Sequence, residues 1–126
     1  MSLREKQSIF ALNISKLIIW AFDNGYETTK GEALRTHDQQ LLHFRGYTLM
    51  VIGSALKLAK TSPKSKTMDS YHLKKLAEDI NLFVEGEYVS DKESFKPLAE
   101  YWKTLHPDNV SGYDWGWDFN HFQMGK

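Results

Sequence analysis

The sequence contains no cysteine. Disulfides and thiolate metal sites are therefore excluded, and any transition-metal site must be built from His, Asp or Glu. Net charge is also lacking, with 16 Lys plus Arg against 16 Asp plus Glu. That balance leaves no whole-chain electrostatic footprint for nucleic acid or an anionic membrane, so neither nucleic acid nor a stable membrane association is expected. Long hydrophobic runs are missing. "ISKLIIWAF" (14–22) is interrupted by Lys16 and is far too short to span a bilayer. Asp23-Asn24-Gly25 follows it where an export signal would carry small residues, so it reads as a core helix. The expected place of synthesis is the cytoplasm. There are three prolines, no internal repeats and no low-complexity tract.

What is present suits one modest globular core. The 126 residues are 41% hydrophobic and 25% charged, the composition of an ordinary folded domain. One domain over 1–126 and a monomer are expected. Residues 3–23 have helical spacing, with Ile9, Leu12 (or Asn13), Lys16, Ile19 and Trp20 along one stripe and Asn24-Gly25 as the stop. "YETTKGEAL" (26–34) suits a strand leading to Arg35, and "HDQQLLHFRG" (37–46) a short helix ending at Gly46. "YTLMVIGSALKLA" (47–59) is compatible with helix or strand and is assigned to helix. Residues 60–69 form a polar loop with a proline, and Lys57, Lys60, Lys64 and Lys66 read as a solvated basic cluster. In "AEDINLFVEGEYVS" (77–90) the alternation of Ile80, Leu82 and Val84 before Glu85-Gly86 predicts a β-hairpin. "DKESFKPLAEYWKTL" (91–105) predicts a helix in which Pro97 marks a kink or a late start. "HFQM" (121–124) suits a terminal strand. Short strands and helices in this irregular order predict an α+β fold, a small antiparallel sheet with flanking helices.

"SYHLKKLAED" (70–79) places His72 seven residues before Asp79. On a helix that offset leaves the side chains about 10 Å apart, and on a strand it sends them to opposite faces. The two share one ion only if the chain turns between them. Asp79 sits between Ala77 and "INLF", where an unpaired carboxylate is costly and a metal would supply its partner. His121 on a nearby strand would complete a set of three. Catalytic zinc commonly takes three N or O ligands and keeps a fourth position for water. Asp118, three residues before His121 after a turn at Gly116, has the position and chemistry of a general base. Spacing alone is weakly specific, since Asp-x-x-His occurs twice, at Asp69/His72 and Asp118/His121.

"SYHLKKLAED" resembles the Ser-x-His-(six residues)-Asp signature of the zinc peptidoglycan peptidases, which include D-alanyl-D-alanine carboxypeptidases and L-alanyl-D-glutamate endopeptidases. "WDFNHF" (117–122) resembles that family's second signature, an acid three residues before the last metal histidine. "LRTHDQQ" (34–40) is similar to its upstream Arg-(Thr/Ser)-…-Gln segment. Order and gaps agree over roughly residues 30–124, and "LAEDINLF-EGEY" followed by "YWKTL" is most like the phage-encoded endolysin branch.

The resemblance implies a Hedgehog/D-Ala-D-Ala peptidase-like fold and a zinc ion on His72, Asp79 and His121. It implies Asp118 as catalytic base, and Arg35 as the group steadying a developing oxyanion or a substrate carboxylate. Ser70 and Gln39 or Gln40 would contact substrate or shape the pocket. The implied activity is hydrolysis of an amide bond in the peptidoglycan stem, at the L-alanyl-D-glutamate link. The enzyme would wait in the bacterial cytoplasm until lysis and act on the wall in the periplasm. Terminal D-alanyl-D-alanine cleavage by the same site, and a non-catalytic zinc-stabilised structural or wall-binding module, remain alternatives. Two departures stand out: Lys75 lies where the family often has glycine, and the stretch between Trp102 and His121 is compact.

Overall fold

The computed structural model describes residues 1–125. Helix α1 (Leu3–Asp23) opens with a capping box: Ser2 accepts from the Glu5 amide while Glu5 accepts from the Ser2 amide. Its buried face is Phe10, Asn13, Ile14, Leu17 and Ala21. The expected stripe is therefore out of phase: Leu12 and Ile19 are exposed. Apolar residues surround this helix almost completely, so hydrophobicity alone does not set its phase. The second helix, α2 (His37–Arg45), starts at Thr36 with a second capping box and stops at Gly46, whose φ of 78° ends helices readily. The third, α3 (Lys92–Leu105), is capped by Asp91, which accepts from the Ser94 amide. Pro97 lies within it, so the helix does not start late.

The main sheet runs β1 (Glu27–Lys30), β4 (Ala77–Val84), β7 (His121–Met124), β6 (Asn109–Ser111), and β5 (Glu87–Val89) pairs with β4. All pairings are antiparallel. Strand β4 organises the sheet: β7 pairs with its first residues and β5 with its last. The β4–β5 hairpin turns at Glu85-Gly86, both at positive φ, as the sequence predicts. Ile80 and Leu82 of β4 meet Leu17 of α1, Phe95, Leu98 and Trp102 of α3, and Phe122 of β7 in one core. Burying each large side chain there is worth about 2–3 kcal/mol. Trp102 touches Phe10 and Phe122 edge-on, and its indole N–H donates to the carbonyls of Val110 and Gln123. That single residue ties α3 to β6 and β7. A short helix α4 (Gly112–Trp115) joins β6 to the β7 approach.

The helix expected over 47–59 is instead a second, two-stranded sheet, β2 (Tyr47–Ile52) against β3 (Ala55–Lys60). Gly53 at φ 63° allows the tight Gly53-Ser54 turn, and Tyr, Thr, Val and Ile in β2 favour extended backbone. Among the described residues no helix is long and apolar enough to cross a membrane.

Candidate active site

The chain turns after His72. A 3₁₀ helix, Tyr71–Lys74, begins at Ser70, whose hydroxyl accepts from the His72 amide at 3.3 Å. Lys75 then takes φ 56°, in the left-handed region, and β4 starts two residues later. Glycine adopts this conformation without the Cβ cost. The glycine-like position of the related signature is thus a backbone requirement that Lys75 meets at a penalty. On the next strand Asp79 lies directly opposite His121 in the β4–β7 register. Gly31 packs against Asp79, donating its N–H to the Asp79 carbonyl at 2.7 Å. A Cβ on Gly31 would stand 3.1 Å from the Asp79 Cβ.

The three side chains converge. His72 Nε2 lies 3.2 Å from His121 Nδ1 and 3.4 Å from Asp79 Oδ1, and His121 Nδ1 lies 3.2 Å from the same oxygen. The remaining ring nitrogens fix the tautomers. His72 Nδ1–H donates to the Ala33 carbonyl at 2.8 Å, and His121 Nε2–H donates to Gln123 Oε1 at 2.7 Å. In neutral rings so oriented, three lone pairs point at one another. Only a proton or a cation relieves that arrangement. A tetrahedral ion with ligand bonds of about 2.0–2.1 Å has edges of about 3.3 Å, which the three separations match. The donor set therefore fits a small divalent metal of the zinc type.

The electrostatics agree with a cation-seeking cluster. Burial works against charge on His72, but the hydrogen bond and charge of Asp79 outweigh it and raise the His72 pKa. Burial likewise opposes ionisation of Asp79, yet hydrogen bonds from His121 and His72 lower its pKa to about 2. Asp118 behaves oppositely. Burial raises its pKa, reinforced by the nearby Asp79 charge and only partly offset by His121. Its Oδ2 stands 3.7 Å from His121 Nδ1, on the rim of the cluster.

Asp118 owes its place to backbone geometry. It sits at φ 56°, a conformation aspartate tolerates better than most residues. Gly112 makes room for it: a Cβ there would fall 1.6 Å from the Asp118 carbonyl oxygen.

Arg35, Ser70, His72, Asp118 and His121 line one cavity of about 310 Å³, walled by Trp115 and Trp117. Arg35 is held in place by Glu32, by Gln40 Oε1 accepting from Nη1 at 2.6 Å, and by its own amide bonding the His72 carbonyl at 3.3 Å. Gln40 is fully buried behind the cavity. It also donates to Ser65 Oγ and the Thr67 carbonyl, so it shapes the wall through Arg35 and the 65–67 loop. Gln39 is spent in the capping box of α2 with Thr36 and lies outside the cavity lining.

Sequence reasoning missed Glu32, the Ala33 carbonyl and Gln123. Gln123 had a signal: two residues after His121 on a strand, it shares that residue's face. The Ala33 carbonyl is a loop group brought to His72 where the chain runs on from β1 alongside β4, and Glu32 meets Arg35 three residues on.

No protein-family model matches the chain, and no curated protein matches it. Among solved structures, the chain is similar to the crystal structure of Serratia marcescens L-Ala D-Glu endopeptidase ChiX. The TM-score is 0.62 with 20% sequence identity, over 96% of this chain and 84% of that one. At that identity the likeness is one of fold: the chain shares the α+β fold of this endopeptidase.

Proposed function

We propose that the protein is a zinc-dependent peptidase that hydrolyses an amide bond in the peptide stem of bacterial peptidoglycan, at the L-alanyl-D-glutamate link. The observation that carries this reading is the triangle of His72 Nε2, His121 Nδ1 and Asp79 Oδ1, with Asp118 beside its open side in the same cavity. The fold shared with an L-Ala D-Glu endopeptidase supports the choice of bond. A phage or prophage endolysin role rests on the motif resemblance.

His72, Asp79 and His121 would hold the metal. When bound, it supplies Lewis-acid chemistry, polarising an amide carbonyl and acidifying water. Asp118 takes the proton from the attacking water and returns it to the leaving amine, so that water adds across the bond with no net proton change. Its place on the rim of the cluster, with Oδ2 3.7 Å from His121 Nδ1, suits it to both halves of that transfer. The Arg35 guanidinium, locked by Glu32 and Gln40, faces the cavity as a fixed positive charge for a carboxylate or for charge developing on the carbonyl oxygen. Trp115 and Trp117 give the cavity an aromatic wall against which the substrate can pack.

Mass spectrometry of digested, purified peptidoglycan tests the reaction. Cleavage at L-alanyl-D-glutamate releases the stem peptide from the glycan, whereas carboxypeptidase action frees only D-alanine. Asp118→Ala is expected to bind zinc and lose hydrolysis by about two to four orders of magnitude, while His72→Ala loses both. An Asp118→Ala variant digesting at the native rate rules out the base. Tight zinc with no product from the native protein favours the structural module.

A further inference from the structure

Charge is segregated along this neutral chain. Residues 39–68 contain no acid and five cations, Arg45, Lys57, Lys60, Lys64 and Lys66, so this segment carries +5 and the remainder −5. The overall balance conceals that asymmetry. At the centre of the segment stands the β2–β3 hairpin.

The hairpin is apolar on both faces at its tip. On one face Leu49 opposes Leu58 and Val51 opposes Leu56. On the other, Ile52 opposes Ala55, next to Met50 opposite Lys57. Val51 and Leu56 are each 71% exposed. Docking onto a protein surface would cover one face of such a ribbon and leave the other wet, because neighbouring side chains alternate between faces. A lipid interface surrounds a tip on every side.

The dimensions agree. From the Met50–Lys57 pair to the Gly53-Ser54 turn is about 10 Å of strand, close to the depth of about 5–10 Å at which interfacial elements bury apolar groups. That depth leaves Lys57 at the level of the lipid phosphates. Lys60, over the Tyr47 ring at 5.2 Å, sits three residue pairs further from the tip, about 10 Å back along the strand. The open edges of a two-stranded ribbon leave N–H and C=O groups that hydrocarbon cannot satisfy, so insertion stops at the tip.

We propose that the β2–β3 hairpin is a peripheral docking device for a membrane surface rich in anionic phospholipid. Val51, Ile52, Ala55 and Leu56 enter the interface, Lys57 meets the phosphates, and Lys60 behind it adds attraction to the anionic surface within a Debye length. The attachment is reversible and independent of the cavity chemistry.

The test is co-sedimentation of the full chain with vesicles of phosphatidylcholine containing about one third phosphatidylglycerol, against phosphatidylcholine alone. Binding to the anionic vesicles only, weakening with salt, is expected. V51E/L56E abolishes it, and K57E/K60E lowers it about tenfold or more. Both variants should keep the native melting temperature and metal uptake, since these side chains are exposed. An L56W reporter should shift its emission to the blue on anionic vesicles. Absence of binding at low salt overturns the proposal. So does equal binding by V51E/L56E, which would mean charge adhesion alone. A dimer that V51E/L56E dissolves, with no vesicle binding, assigns the tip to a second copy instead.

Discussion

The β4–β7 strand pair and the β2–β3 hairpin are both antiparallel ladders with complete registers, yet they differ in what their side chains meet. Along β4 and β7, Ile80, Leu82, Phe122 and Met124 are buried and Asp79 faces His121. Along β2 and β3 nearly every side chain is exposed. The first ladder sets its ionisable groups opposite one another on one face while its other face packs into the core. The second supplies only shape. A site that must hold three ligand atoms at fixed separations needs the first kind of support, whereas a surface probe tolerates the second.

Two glycine substitutions set the regions against each other and carry the largest expected effect. Gly112→Ala forces a Cβ to within 1.6 Å of the Asp118 carbonyl, so the Trp117–Asp118 backbone must move. A loss of about 3 kcal/mol or more is expected, together with loss of hydrolysis. Gly53→Ala at the hairpin turn meets open space and costs only its positive φ, about 1 kcal/mol. Chemical denaturation of both variants checks the contrast. Equal costs would mean that the 112–118 segment is as adaptable as the hairpin tip.

The same contrast explains what the sequence discloses. Helix α2 reads clearly because Thr36, Gln39 and Gly46 mark its ends by local chemistry, and the β4–β5 hairpin reads clearly because one face is buried and alternation survives. The β2–β3 hairpin does not, because with both faces exposed there is no burial pattern to alternate. Apolar residues on all sides of α1 conceal its phase in the same way. For the site, residue types and motif spacing point to His72, Asp79, His121 and Asp118, but their meeting depends on the long-range register that sets Asp79 opposite His121. Arg35 is visible as a residue with Glu32 three places before it; the Gln40 contact, braced from behind by the 65–67 loop, is visible only in three dimensions.

A smaller effect sharpens the picture of the ligand cluster. Gln123→Leu removes the acceptor that holds His121 Nε2–H, freeing the ring to present the wrong nitrogen. Metal affinity should fall about 10–100-fold, with Gln123→Glu retaining most of it. Melting with and without chelator as a function of pH reads the cluster directly. In the metal-free protein the raised His72 pKa contributes stability that is full below its ordinary 6.5 and is lost as pH rises through the folded value. The lowered Asp79 pKa contributes stability that is full above 3.8 and is lost as pH falls toward 2. Metal-free stability should therefore be greatest between those limits. Metal loading requires neutral imidazoles, so the rise in melting temperature on adding zinc should grow from mildly acidic to mildly alkaline pH. A rise independent of pH would place the ion elsewhere.

The smallest effect concerns Lys75. Its φ of 56° closes the 3₁₀ helix that delivers His72, and its amide bonds the His72 carbonyl at 3.4 Å. A side chain at that φ costs about 1 kcal/mol that glycine does not incur. Glycine also gains freedom in the unfolded chain, which returns part of that advantage. Lys75→Gly should therefore raise stability by a few tenths to about 1 kcal/mol, with metal affinity unchanged because the turn keeps its shape. If Lys75→Gly lowers stability, the lysine side chain contributes more at this turn than its backbone conformation costs, and the departure from glycine is a stabilising feature of this chain.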